Sequence, residues 1–250
     1  MNRTPLGRAV QPSVDDGQRA ALHAENHGGG NSLRDVILGG QDGLVNMLGI
    51  ALGVVSAGGS THVLIAAGLA ASFTESIAMG AVAYTSFGSV RDFYLAQRRR
   101  EQEEIEFAPD FERQEIRDIY AAKGFQGQLL EDVVNTIVAN RDNWVDTMMS
   151  DELHLQPVER GSLLRSAAVV TVATLIGHLI PLAPFTVLAQ TPAVILAIVL
   201  SAIALFAVGV YSAKTLVGDW RKSGMQMLLI GLGAAAIGFL IGSLFHTVGG

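Results

Sequence analysis

Two pairs of glutamates stand out by their spacing. Glu101 with Glu104, and Glu112 with Glu115, fall in the run Arg98–Glu115, RRREQEEIEFAPDFERQE. Residues three apart share one face of a helix, so each pair presents two carboxylates together. Pro109 and Asp110 split the run into two helices, and as a hairpin these would surround a cation with hard oxygen ligands. Met148, Met149 and Glu152 add two thioethers and another carboxylate from a later helix, Met148 and Glu152 being four apart on one face. Oxygen ligands alone suit Mg(II) or Ca(II), whereas thioether sulfur moves the preference toward Fe(II) and later transition metals. The plain alternative is a solvated acidic helix face beside a small core that contains methionine.

A second group of acids lies in apolar sequence. Asp42 sits in GGQDGLVN (Gly39–Asn46) and Glu75 in ASFTESIAMG (Ala71–Gly80). A carboxylate in a bilayer core is costly and reads as a functional site by default. At 1.5 Å per residue, Asp42 lies ~9 Å along the first apolar stretch and Glu75 ~20 Å along the second, which runs the other way. The two acids therefore reach a similar depth. Asn46 is one turn from Asp42 and Met79 one turn from Glu75, giving a candidate intramembrane cation site of carboxylates, amide and thioether. His178, flanked by apolar residues in a third stretch, reads as a hydrogen-bonded packing residue rather than a ligand.

What must position these groups is a membrane bundle. The 250 residues are 50% hydrophobic and 16% charged, with a mean hydropathy of +0.38, too apolar for an ordinary soluble domain. Five segments reach the ~20 residues that a spanning helix needs, near Val36–Ser56, His62–Phe87, Leu163–Pro184, Pro192–Ala213 and Gly224–Thr247. The second has no stop signal and runs through Arg91 and Asp92 into the acidic run as one helix. Gly49xxxGly53 and Gly238xxxGly242 offer small-residue faces for helix packing, within a subunit or across a dimer.

Between the second and third spans, Gln97–Gln156 reads as a helical unit. One helix covers about Asp110–Ala122 and stops at Gly124, a good C-terminal cap. Another covers about Gln128–Ala139, with Leu130, Val133, Val134, Ile137 and Val138 on one face, and a third lies near Asn143–Leu153. The unit carries 14 acidic against 7 basic side chains, an imbalance that suits a cation. Basic residues gather in this unit, in the N-terminal tail, and between the last two spans at Lys214, Arg221 and Lys222. The loops Ala57–Thr61 and Ala183–Thr191 hold none. The positive-inside rule then puts the N-terminus and the helical unit in the cytosol and the C-terminus outside.

The expected fold class is an all-α polytopic membrane protein: five transmembrane helices with a cytosolic helical metal-binding domain inserted between helices 2 and 3. Its parts are a disordered cytosolic tail over 1–31, where His23 and His27 lie, spans 1 and 2 over 32–96, the inserted domain over 97–156, and spans 3 to 5 over 157–250. A net charge of −6 argues against a nucleic-acid partner. The absence of cysteine removes thiolate metal sites and disulfides. No cleavable signal is visible, and with the short chain this favours a bacterial plasma membrane, an organelle membrane being the alternative.

These residues resemble the vacuolar iron transporter family, from about Leu33 to the end of the chain. The most specific parts are QDGLVN (Gln41–Asn46), REQEEI (Arg100–Ile105), PDFERQEI (Pro109–Ile116) and MMSDEL (Met148–Leu153). The resemblance implies a homodimer that moves Fe(II), and often Mn(II), out of the cytosol in exchange for protons. It implies no resident cofactor and no enzymatic activity, with Zn(II) and Co(II) among the ions such a site would admit. Position by position, Asp42 resembles the family's first-span aspartate and Met79 its second-span methionine. Glu101, Glu104, Glu112, Glu115, Met148, Met149 and Glu152 resemble the ligands of its cytosolic domain. The plant-type second-span glutamate would fall at Ala71, and Glu75 stands one helical turn further on the same face.

Two rivals come from other classes. Paired glutamates also serve di-iron carboxylate oxidases, but those use a Glu-x-x-His motif, and no histidine lies three after any of the four paired glutamates. A membrane-anchored metal sensor or scaffold is the other; it gains nothing from acids carried in the bilayer.

Overall fold

A computed structural model describes residues 27–215 and 218–248. Residues 1–26 of the expected tail, with His23, lie outside the described residues. Long apolar runs with few breakers become helices, and among the described residues there is no strand. The helices are α1 (His27–Ser56), α2 (Thr61–Phe107), α3 (Pro109–Ala122), α4 (Gly127–Val138), α5 (Arg141–Thr147), α6 (Arg160–Leu182), α7 (Pro184–Val187), α8 (Gln190–Thr215) and α9 (Trp220–Val248). Residues 27–31, expected in the tail, belong to α1. Helices α1, α2, α6, α8 and α9 are long and apolar enough to cross a membrane. Phe73, Ile77, Ile203, Ile237 and Leu240 point outward from them, a surface that lipid can cover where water could not.

Helix α1 is the hub of the bundle, packed against α2, α6, α8 and α9. Glycine makes the two closest of these contacts. On one side Gly39 and Gly43 meet α6, where a Cβ on Gly39 would stand 2.7 Å from the Val170 carbonyl oxygen. On the other side the two GxxxG motifs meet each other. A Cβ on Gly238 or Gly242 would strike the backbone of Gly49 or Gly53. That motif pair joins α1 to α9 inside one chain.

Helix α2 runs 47 residues without a break, ~70 Å at 1.5 Å per residue and more than twice a ~30 Å hydrocarbon core. Ser60 caps its start, its hydroxyl accepting from the Val63 N–H at 3.4 Å. Its polar Ser72 and Ser76 hydroxyls donate to carbonyls four residues back, at 2.6 and 2.5 Å. The part beyond the bundle carries Tyr94 and Ile105 into a second core, with Ile116, Leu130, Val134, Trp144, Val145, Met148 and Met149. Ion pairs brace this unit, among them Arg98 with Asp146, Arg141 with Glu106 at 3.1 Å, Arg117 with Glu131 at 2.7 Å, and Lys123 with Asp151 at 2.5 Å. Gly124 has φ +99°, a conformation open to glycine, and it ends α3 where the sequence places the cap.

One local expectation needs correction. The helix expected over Asn143–Leu153 stops at Thr147, and Met148–Glu152 form a π-helical turn. The Leu153 N–H reaches the Met148 carbonyl at 3.1 Å, so the i,i+4 relation of Met148 and Glu152 is that of a widened turn.

The α1–α9 contact yields the first prediction. Gly242→Leu should destabilise the protein by about 1–3 kcal/mol, because backbone on the facing helix cannot retreat as a side chain can. Gly233→Ala on the same helix meets open space and should leave stability equal or slightly raised. Unfolding in detergent would show the contrast.

Candidate functional site

Two groups of polar side chains emerge, one beyond the bundle and one within it. The first lies where the far end of α2 meets α3. Glu101 is ~20 Å past Gly88, the last α2 glycine to approach α6. Glu101 is only 4% exposed and Glu112, in the first turn of α3, only 3%. Glu104 and Glu115 are half-buried and Glu152 is exposed.

The carboxylates lie in one another's field. Burial first, then repulsion from Glu152, Glu104 and Glu115, raises the Glu101 carboxyl to about 7. Burial first, then Glu115, Glu101, Glu104 and Glu152, raises Glu112 to about 7 as well. Glu115 and Glu152 are also pushed up, again chiefly by burial. Glu104 pairs with Arg100 at 3.0 Å. One buried oxygen of Glu112 has no hydrogen-bond partner, which is costly unless a cation or a proton satisfies it. Met148 and Met149 are fully buried against Ile105 and Ile116, so their thioethers also belong to the core of this unit.

The second group sits where α1, α2 and α6 converge. Asp42 and Asn46 come from α1, Glu75 and Met79 from α2. The Asn46 amide donates to one oxygen of Glu75, and the Asp42 carboxyl lies within electrostatic reach of the same glutamate. Glu75 lies midway between Thr61 and Gly88, ~20 Å from each along α2. Met79 stands one turn further on α2, half-buried. Among the described residues, no three acidic or imidazole groups stand close enough to hold a metal ion as they are. Either group would have to draw its side chains inward around an ion.

Two further residues belong beside this group, His178, read from the sequence as a packing residue, and Asp35, which that reading passed over. His178 of α6 is fully buried, and its Nε2 lies 2.9 Å from the second oxygen of Glu75. It is hydrogen-bonded, as expected, but to a site acid as well as to its own helix. Asp35, 4% exposed with one oxygen unpartnered, precedes Asp42 by two turns on one face of α1. The signal was available for both: any ionisable residue on a spanning helix invites a functional reading, histidine included.

Comparison with known proteins finds relatives along most of the chain. The pattern of the VIT family matches residues 33–243. Vacuolar iron transporter 1 of Arabidopsis thaliana is 32% identical over 221 residues, 88% of each chain. The vacuolar iron transporter of Centaurea cyanus is 35% identical over 224 residues, 87% of this chain and 89% of its own. That of Plasmodium falciparum is 28% identical over 231 residues, 88% of this chain and 85% of its own.

The raised carboxyls predict a pH effect on stability. An acid whose folded pKa exceeds its unfolded value binds more protons when folded. Stability therefore falls as pH rises from about 4.5 to about 7, and the loss is complete above that. Glu112→Gln should make the metal-free protein more stable than wild type at pH 8 and bring the two together at pH 4.5. Thermal unfolding in chelator at the two pH values checks the sign.

Proposed function

The chain belongs to the VIT family, whose relatives are named as iron transporters, and from that membership we propose that it carries Fe(II) across a membrane. Mn(II), with Zn(II) and Co(II), would share the route. The observation that carries this reading is the polar group Asp42, Asn46, Glu75 and His178 inside an apolar five-helix bundle. Ionisable side chains at that depth are too costly for a scaffold.

In this reading the N-terminus and the helical unit over 97–156 face the cytosol, as the distribution of basic residues favours. The unit is a metal-binding domain. Glu101, Glu104, Glu112, Glu115 and Glu152, with Met148 and Met149, collect the ion and raise its concentration at the inner face. Mutual repulsion among the carboxylates is what a divalent cation would relieve. The ion then passes to Asp42 and Glu75, with Asn46 and Met79 beside them. Protons from the far side compete for the same carboxylates and release it, which makes the cycle an exchange of metal for protons. The working unit is a homodimer, as the family resemblance implies.

Flux tests this. In sealed vesicles with an imposed pH difference, wild type should move Fe(II) and Mn(II), and Asp42→Asn should abolish movement. Changing Glu101 and Glu104 together to Ala should weaken flux chiefly at low metal. Flux indifferent to the pH difference would remove the proton exchange. Metal binding without flux under any gradient would turn the reading to a sensor.

A further inference from the structure

His178 has an unusually constrained imidazole. Its Nδ1 lies 2.8 Å from the carbonyl oxygen of Thr174, one turn back on α6. A carbonyl only accepts, so Nδ1 carries a hydrogen and its tautomer is set. Nε2 is therefore the nitrogen left to act, and it faces Glu75 Oε2 at 2.9 Å. The ring cannot turn away: a Cβ on Gly43 would stand 2.8 Å from Nδ1, so α1 closes against it. On its other side Glu75 is held by Asn46, and Asp42 lies within electrostatic reach of both Glu75 and His178.

We propose that His178 Nε2 is a ligand of the transported cation, joining Glu75 and Asp42, and that this nitrogen sets which cations pass. The inference rests on the transporter reading and adds a selecting residue to it. An imidazole whose other N–H donates to a backbone carbonyl has the support that metal-bound histidines almost always show. Two ligands ~2.1 Å from an ion lie ~3.0 Å apart at a right angle and ~3.4 Å apart at the tetrahedral angle. The 2.9 Å between Nε2 and Oε2 needs a shift of only a few tenths of an ångström to receive one. Imidazole nitrogen suits Fe(II), Co(II) and Zn(II), whereas Mg(II) and Ca(II) prefer oxygen alone. Mn(II), the most oxygen-tolerant of the transition ions here, should depend on the histidine least.

The test uses full-length protein in vesicles, with Co(II) and Mn(II) as probes and His178→Gln as the variant. Glutamine keeps a polar amide that can hydrogen-bond Glu75 but has no imidazole lone pair, so a purely packing or positioning role survives it. The expected result is a fall of at least about tenfold in the ratio of Co(II) to Mn(II) flux. An unchanged ratio overturns the proposal. Binding is read separately, in a Glu101→Gln, Glu112→Gln background that weakens the outer cluster. There the visible absorption of bound Co(II) should change with His178→Gln; an unchanged spectrum also overturns the proposal. If wild type shows no flux but His178→Gln changes that spectrum, the transport reading fails and the ligand assignment stands. If the variant does not fold, wild type decides: with ¹⁵N-labelled histidine, bound Mn(II) should show imidazole nitrogen coupling, and its absence overturns the assignment.

Discussion

The structure depends on one constraint: a charge carried into an apolar bundle must find partners there, because water cannot supply them. Asp42, Glu75 and His178 come from three different helices, and each is tolerable only because the others are near. Glu75 receives Asn46 on one oxygen and His178 on the other. Breaking any helix contact that holds them would strand an ionisable group in hydrocarbon at a cost of several kcal/mol. The polar group thus links α1, α2 and α6 in addition to their packing.

Glycine is what allows that convergence. Carboxylate and imidazole side chains are short, so helices bearing them must approach closely to make direct contact. Gly39, Gly43 and Gly177 remove the side chains that would keep α1 and α6 apart. On its opposite flank α1 uses Gly49 and Gly53 against Gly238 and Gly242. Helix α1 is clamped from both sides, which fixes the direction in which Asp42 and Asn46 point. Small residues here serve the chemistry as well as the packing.

Much of this was legible in the sequence, and the misses have a common cause. The unbroken run of α2, the break at Pro109, the cap at Gly124 and the apolar face of α4 are local signals, written within a few residues of where they act. Depth along antiparallel helices is nearly local too, which is why Asp42 and Glu75 could be matched by counting. His178 and Glu75 are 103 residues apart, and no periodicity records that α6 packs beside α2 with those positions level. The pairing of Gly49xxxGly53 with Gly238xxxGly242 was invisible for the same reason, since a motif does not name its partner. The π-helical turn over Met148–Glu152 was missed differently. It is a one-residue accommodation to the core formed with Ile105 and Ile116, a tertiary demand that overrides local helix preference.

Helix α2 connects the two groups mechanically. Glu75 and Glu101 stand on the same continuous helix, 26 residues or ~39 Å apart, with no proline or π-turn between them. A helix of that kind transmits rotation and tilt with little loss, because bending it would break backbone hydrogen bonds that hydrocarbon cannot replace. Within the bundle the Glu75–His178 hydrogen bond resists any rotation of α2 against α6.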